Sequence, residues 1–192
     1  MNKDSIVQFV RFVSSLEPDE FMEIWRPFAR LLCDDRESIL LEEMVPAKTS
    51  SRLSYVSQHI CSPEDFSFAF MKGKTTAHLP EHKASVKQLG GYLPIQIQSP
   101  RNNPKVNSRI LSFVGHGEME LAFYQQQTFQ YLNIYEAYFE NCAYNYVLEY
   151  FVEPEKATDL LAELNNRTNV EAARFKVCRF SPTSKKISSP LL

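Results

Sequence analysis

Apolar and polar positions along the chain follow two rhythms. Residues 5–13 (Ser-Ile-Val-Gln-Phe-Val-Arg-Phe-Val) are rich in β-branched and aromatic types, the composition of a strand, and run into Glu17-Pro18-Asp19-Glu20. Residues 145–152 (Asn-Tyr-Val-Leu-Glu-Tyr-Phe-Val) run into Glu153-Pro154-Glu155-Lys156, and residues 53–60 run into Ser62-Pro63-Glu64-Asp65. Each phrase reads as a strand, then Pro at the first helical position, then acid in the first turn. Pro is tolerated there because that N–H has no intrahelical partner, and the acid favours the positive end of the helix dipole. Three junctions of one design point to a repeated β-α unit.

The helices that follow have a period near 3.6. Ala157, Leu160, Leu161 and Leu164 form one apolar stripe, and Val170 to Phe180 resumes as a strand. In that strand Ala173, Phe175 and Val177 alternate with Arg174 and Lys176, so residues 145–180 read as β-α-β. The first helix carries Phe21, Ile24, Trp25, Phe28, Leu31 and Leu32 on one side, and Pro27 inside it predicts a kink or a split. Residues 38–45 are the next strand, closing a second β-α-β.

The middle departs from this rhythm. Residues 99–108 are a polar, Pro-containing loop and the candidate boundary. Ile110–Val114 and Met119–Tyr124 flank Gly115-His116-Gly117, a hairpin pattern. Residues 128–151 hold nine aromatics from Phe129 to Phe151, which favours two strands meeting near Glu140-Asn141-Cys142-Ala143, with a helix as the rival. From Ser181 onward the chain is rich in Ser, Pro and Lys, a flexible tail. The resulting division is an α+β unit over 1–98, a loop over 99–108, a second α+β unit over 109–180 and a tail over 181–192. One single domain over 1–180 is the alternative.

Composition narrows the class. The 192 residues are 44% apolar and 23% charged, enough to build a core and unlike a disordered chain. A net charge of −2 gives no basic field for nucleic acid, and no apolar run approaches the ~20 residues of a membrane span. Gln8 and Arg11 interrupt the first apolar stretch, so it reads as a strand and not a secretory leader. Cys33, Cys61, Cys142 and Cys178 form no CxxC pair and read as reduced thiols. These features predict a cytoplasmic protein without nucleic-acid or membrane partners.

The motifs argue mainly by exclusion. His78-Leu79-Pro80-Glu81-His82 matches H-x-x-E-H, but that motif needs both histidines one turn apart on a helix, and Pro80 spoils it. His116-Gly117-Glu118 lacks the P-C-x-x-C partner of zinc deaminases. His59-Ile60-Cys61 puts His and Cys on one side of a strand with no second ligand pair. No metal and no cofactor are therefore expected. No phosphate-binding loop and no nucleophile elbow occur. Glu149, Glu153 and Glu155 read as a solvated charge cluster at a strand end.

The strand–Pro–acid–helix–strand phrases at 5–45 and 145–180, joined by further strands, resemble ferredoxin-like α+β units with an antiparallel sheet. Two such units in tandem are similar to the dimeric α/β-barrel proteins, which include the stress-responsive barrel group and cofactor-free monooxygenases. Leu132-Asn133-Ile134-Tyr135-Glu136-Ala137-Tyr138 resembles the strand with Glu then an aromatic found in those monooxygenases. The resemblance implies a barrel-like arrangement and leaves room for a homodimer, but carries over no catalytic residue. Two functions follow as expectations. The first is binding of a small apolar ligand or a protein partner, with Trp25, His59, His116, Tyr131, Tyr135, Glu136 and Tyr146 as candidate contacts. The alternative is a small barrel-type oxidoreductase, cofactor-free or haem-linked, drawing on Trp25, His59, His116 and Tyr135.

Overall fold

The computed structural model describes residues 5–32, 38–44, 52–63, 84–98, 100, 108–115 and 131–181. Eight strands form one sheet that closes on itself: β1 (Ile6–Ser14), β2 (Ser38–Glu43), β3 (Leu53–Cys61), β4 (Ala84–Gln96), β5 (Ser108–Val114), β6 (Leu132–Ala137), β7 (Tyr146–Val152) and β8 (Val170–Ser181). Two described helices, α1 (Pro18–Leu32) and α2 (Pro154–Asn165), join β1 to β2 and β7 to β8. No helix among the described residues is long and apolar enough to cross a membrane.

Around the barrel the order is β1-β3-β2-β8-β5-β7-β6-β4, every neighbour antiparallel. The order β4-β1-β3-β2 is followed by β8-β5-β7-β6, so the two halves of the chain repeat one arrangement. The seams between the halves repeat it in detail. Along β2–β8 the register passes from Leu40↔Arg179 to Leu41↔Val177, skipping Cys178. Along β4–β6 it passes from Gln96↔Ile134 to Pro94↔Tyr135, skipping Ile95. A bulge adds local twist and bends a strand, so the same bend sits at both seams. Through these registers Ser38 matches Leu132, Gln8 matches Ile110 and His59 matches Tyr150.

Side chains alternate between the lumen and the outer face. Val7, Phe9, Leu41, Val56, Tyr92, Leu111, Phe113 and Phe175 fill the lumen. The outer face carries two further cores. Under α1 lie Val10, Phe12, Leu40, Leu53 and Tyr55, met by Phe21 and Trp25 of the helix. Phe21 stacks on Tyr55 with ring centroids 4.2 Å apart. Under α2 lie Ile110, Leu132, Leu148 and Tyr150, met by Ala157, Leu160 and Leu164, the stripe expected from the period.

Four expectations are corrected. α1 runs through Pro27 without a split. The strand of Ile110–Val114 is not half of a hairpin with Met119–Tyr124: both edges of β5 are taken, by β7 and β8. Met119–Tyr124, His78–His82 and His116 lie outside the described residues. Val177, expected on a half-buried face, sits beside the β2–β8 bulge and is 51% exposed. Glu149 is not solvated; it points into the lumen and is 2% exposed.

Candidate functional site

β3 presents Tyr55, Ser57, His59 and Cys61 on one face and Val56 and Gln58 on the other, by the two-residue period of a strand. On the α1 side, register places Gln8 of β1 directly opposite His59, and His59 directly opposite Ser38 of β2. The result is a polar row across three strands beneath a helix, all of it buried: Gln8 and His59 are 0% exposed and Ser38 is 4%.

His59 is held at both ring nitrogens. Ser38 Oγ lies 2.9 Å from Nδ1 and Ser57 Oγ lies 2.8 Å from Nε2. A neutral imidazole donates at one nitrogen and accepts at the other, and each serine hydroxyl can turn to match. Burial pushes the His59 pKa down to about 3, so the ring is neutral near pH 7. It is a poor base there, and with both nitrogens engaged it is not poised to bind a haem iron. Trp25 lies against it, with ring centroids 6.3 Å apart and planes 25° from parallel.

Two residues of this layer are incompletely satisfied. Among the described residues, both amide atoms of Gln8 and the indole Nε1 of Trp25 are buried without a hydrogen-bond partner. Such groups are costly unless something pairs with them. The fold does not require a Gln or a His here: the matching row in the other half is Ile110, Tyr150 and Leu132, packed under α2. Ile6, Cys61 and Leu93 make a small apolar cluster beside the row.

A second polar group occupies the lumen. Glu149 Oε2 accepts from Tyr135 Oη at 3.0 Å and from Asn133 Nδ2 at 2.8 Å, and Arg109 Nε lies 3.2 Å from Oε1. Tyr135 Oη also accepts from Gln58 Nε2 at 3.1 Å and Asn133 Nδ2 at 3.2 Å. Burial and then Glu149 hold the Tyr135 pKa well above its usual value, so the phenol keeps its proton and acts as a donor. Phe9 meets the Tyr135 ring edge-on at 5.3 Å. With its oxygen saturated by protein groups, Tyr135 is a bridge more than a contact for a ligand.

The structure thus separates the residues expected to form one site. Trp25 and His59 come together under α1. Tyr135 lies in the lumen. Tyr146 donates to Glu136 Oε1 at 3.1 Å on the exposed outer side. Tyr131 stands half-buried at the entry to β6, where its carbonyl accepts from the Phe151 N–H at 3.1 Å. His116 is outside the described residues. Gln8 and Ser38 were missed, because a Gln or Ser in an alternating strand reads as solvent-facing until pairing is known. Among the described residues no group of three or more His, Cys, Asp or Glu could hold a metal ion.

No protein-family model matches the chain, and no curated protein matches it at a significant level. Among solved structures the chain is similar to a "putative monooxygenase" of Fusobacterium nucleatum subsp. nucleatum, with a TM-score of 0.55 at 9% identity, over 95% of this chain and 96% of that one. At that identity the likeness concerns the fold: an α+β barrel running through nearly the whole of both chains.

Proposed function

We propose that the protein binds a small, uncharged, largely apolar molecule between α1 and the outer face of β1, β3 and β2. The observation that carries this reading is Gln8: a fully buried amide with neither end partnered among the described residues, at a position where the other half has Ile110. Trp25 supplies an apolar wall and a spare indole N–H, and His59, neutral and fixed by two serines, supplies no charge. Each half of the chain is a ferredoxin-like unit in this reading, and the first sets Gln8, His59 and Ser38 where the second has Ile110, Tyr150 and Leu132.

A second reading is favoured by the barrel shared with the Fusobacterium protein, whose printed name is that of a monooxygenase. Under it the bound molecule is a substrate that reacts with oxygen, and the site just described is where it would sit. His59 then orients the substrate and does not remove its proton.

Both readings are tested on the full chain. A panel of neutral aromatic compounds should raise the melting temperature, because binding to the native state alone stabilises it by RT ln(1 + [L]/Kd). Trp25→Leu should remove the response. Compounds that bind are then followed in an oxygen electrode. Substrate-dependent uptake supports the second reading; binding without uptake leaves the first. A panel with no shift overturns both.

A further inference from the structure

We propose that Lys176 is a site for acylation by an acyl thioester, and that loss of its charge loosens the seam between β2 and β8. Glu42 and Lys176 stand directly opposite each other across that seam. Lys176 Nζ lies 2.9 Å from Glu42 Oε2, and the two ends of the pair are unlike: the Glu42 side chain is 5% exposed and that of Lys176 is 54%. Among the described residues Lys176 is the one cation paired with Glu42. Other pairs lack this asymmetry. Lys156 pairs with Glu153, which is 39% exposed, so its loss leaves a carboxylate that water reaches. Glu149 is buried, but its partner is the guanidinium of Arg109, 15% exposed and no acyl acceptor. By the registers given above, the counterpart of Glu42 in the second half is Glu136, opposite Leu93; it is exposed and accepts from the Tyr146 hydroxyl instead. Lys176 alone among these joins a reachable amine to a carboxylate shielded from water.

The chemistry is amide formation. The Lys176 ammonium gives one proton to solvent, Nζ attacks the thioester carbonyl carbon, the C–S bond breaks, and the thiol leaves with a second proton. The product is a neutral amide that no longer balances Glu42. The nearby thiol does not compete. Cys178 donates to Glu42 Oε2 at 3.5 Å, and burial and then Glu42 push its pKa up to about 12, so it stays protonated. Once the ammonium is gone, Glu42 keeps only that weak donor among the groups described here. Glu17, at the start of α1, acts electrostatically on the same ammonium and loses it as well. A buried carboxylate stripped of its cation is costly, and the strands on either side of it are the ones that close the barrel. Parting of β2 from β8 lets water reach Glu42 and relieves that cost.

Two measurements on the full chain test this. The folded protein is incubated with acetyl-coenzyme A until Lys156 is acetylated, and the modified sites are read by peptide mass spectrometry. Lys176 should be acetylated too; an untouched Lys176 overturns the inference. In the second, acetyl-lysine is placed at position 176 during synthesis. The melting temperature should fall by about 5 °C or more. Amide hydrogen exchange should quicken over 38–43 and 175–181 and stay unchanged where β5 pairs with β7. Lys176→Gln should behave as the acetylated chain does, and Lys176→Arg, which keeps the charge, should melt within about 1 °C of the parent. In a Glu42→Gln background acetylation should have no further effect, because no carboxylate is left to strand. An acetylated chain that melts and exchanges as the parent does overturns the inference. So does an Arg variant that falls as far, or an acetylation effect that persists in Glu42→Gln. Should the acetylated chain fail to fold, Glu42→Gln is expected to restore folding, and no recovery counts against the inference equally.

Discussion

Gln58 and Glu149 occupy matching positions in the two halves of the barrel and meet at one oxygen, Tyr135 Oη, at 3.1 and 3.0 Å. Gln58 lies one residue before His59 on β3, and Glu149 one residue before Tyr150 on β7, so the repeat relates them directly. Each faces the lumen, and the phenol stands between them. The second half adds Arg109 and Asn133, where the first half has Val7 and Ile39. The luminal group thus draws Glu149, Tyr135, Arg109 and Asn133 from the second half and Gln58 from the first, while the row under α1 draws Gln8, His59 and Ser38 from the first.

Removing one member of the luminal group should cost more than removing a pair. Arg109→Met leaves Glu149 without its ion-pair partner at 2% exposure, and a loss of about 3–5 kcal/mol is expected in chemical denaturation. Arg109→Met combined with Glu149→Leu should recover much of that loss. A single variant within about 0.5 kcal/mol of the parent would show that the carboxylate is not confined to the lumen.

His59 should make stability depend on pH. Its folded pKa of about 3 lies below the ordinary 6.5, so between those values the unfolded chain binds a proton that the native ring refuses. Stability then rises with pH through that window. The contribution is intact above pH 6.5 and declines as pH falls, by about 1.4 kcal/mol per pH unit for one proton. Unfolding measured between pH 7.5 and 5 should show this slope, and His59→Gln should flatten it. Identical slopes in parent and variant would mean that the ring titrates normally.

Leu164 is 1% exposed at the contact between α2 and the outer face of β5–β7. Leu164→Ala should cost about 2–5 kcal/mol if the site cannot collapse. A loss near zero in urea melts would place that face of the helix in solvent.

Gly90 has φ of +128°, and a Cβ built on it would lie 2.5 Å from Cys142 Sγ. Gly90→Ala should lose about 1–3 kcal/mol from the backbone alone, with the clash added. Cys142→Ala in the same chain should restore part of it, because the sulfur is then gone. An Ala variant as stable as the parent would contradict the close approach of β4 to the 138–145 turn.

Much of the fold was legible where one pattern decides one element. Leu160 and Leu164 at helical spacing, and Pro154 with Glu155 after a β-branched run, require only local chemistry, and β7-α2-β8 follows. β4 was not legible. Gly and Pro ordinarily interrupt a strand, yet Gly90 and Pro94 are each accommodated by an irregularity in pairing: the register with β1 shifts beside Gly90, and that with β6 shifts beside Pro94. The site was half legible for the same reason. An aromatic such as Trp25 or a histidine such as His59 signals itself by type. Gln8 matters only because closure of β1 onto β3 sets it opposite His59, and Glu149 only because the sheet curls until its inner face is a lumen.

The seam between β2 and β8 joins residues 38–43 to residues 175–181, a separation of more than half the chain. Until β8 has been synthesised, β2 has an uncovered edge, and β4 waits in the same way for β6. Closure is thus the last event the chain can complete, and its long-range pairing predicts slow, late folding. Loss of the β8 strand would not trim the molecule at its periphery. It would reopen the cylinder and expose two edges to any other strand able to pair with them.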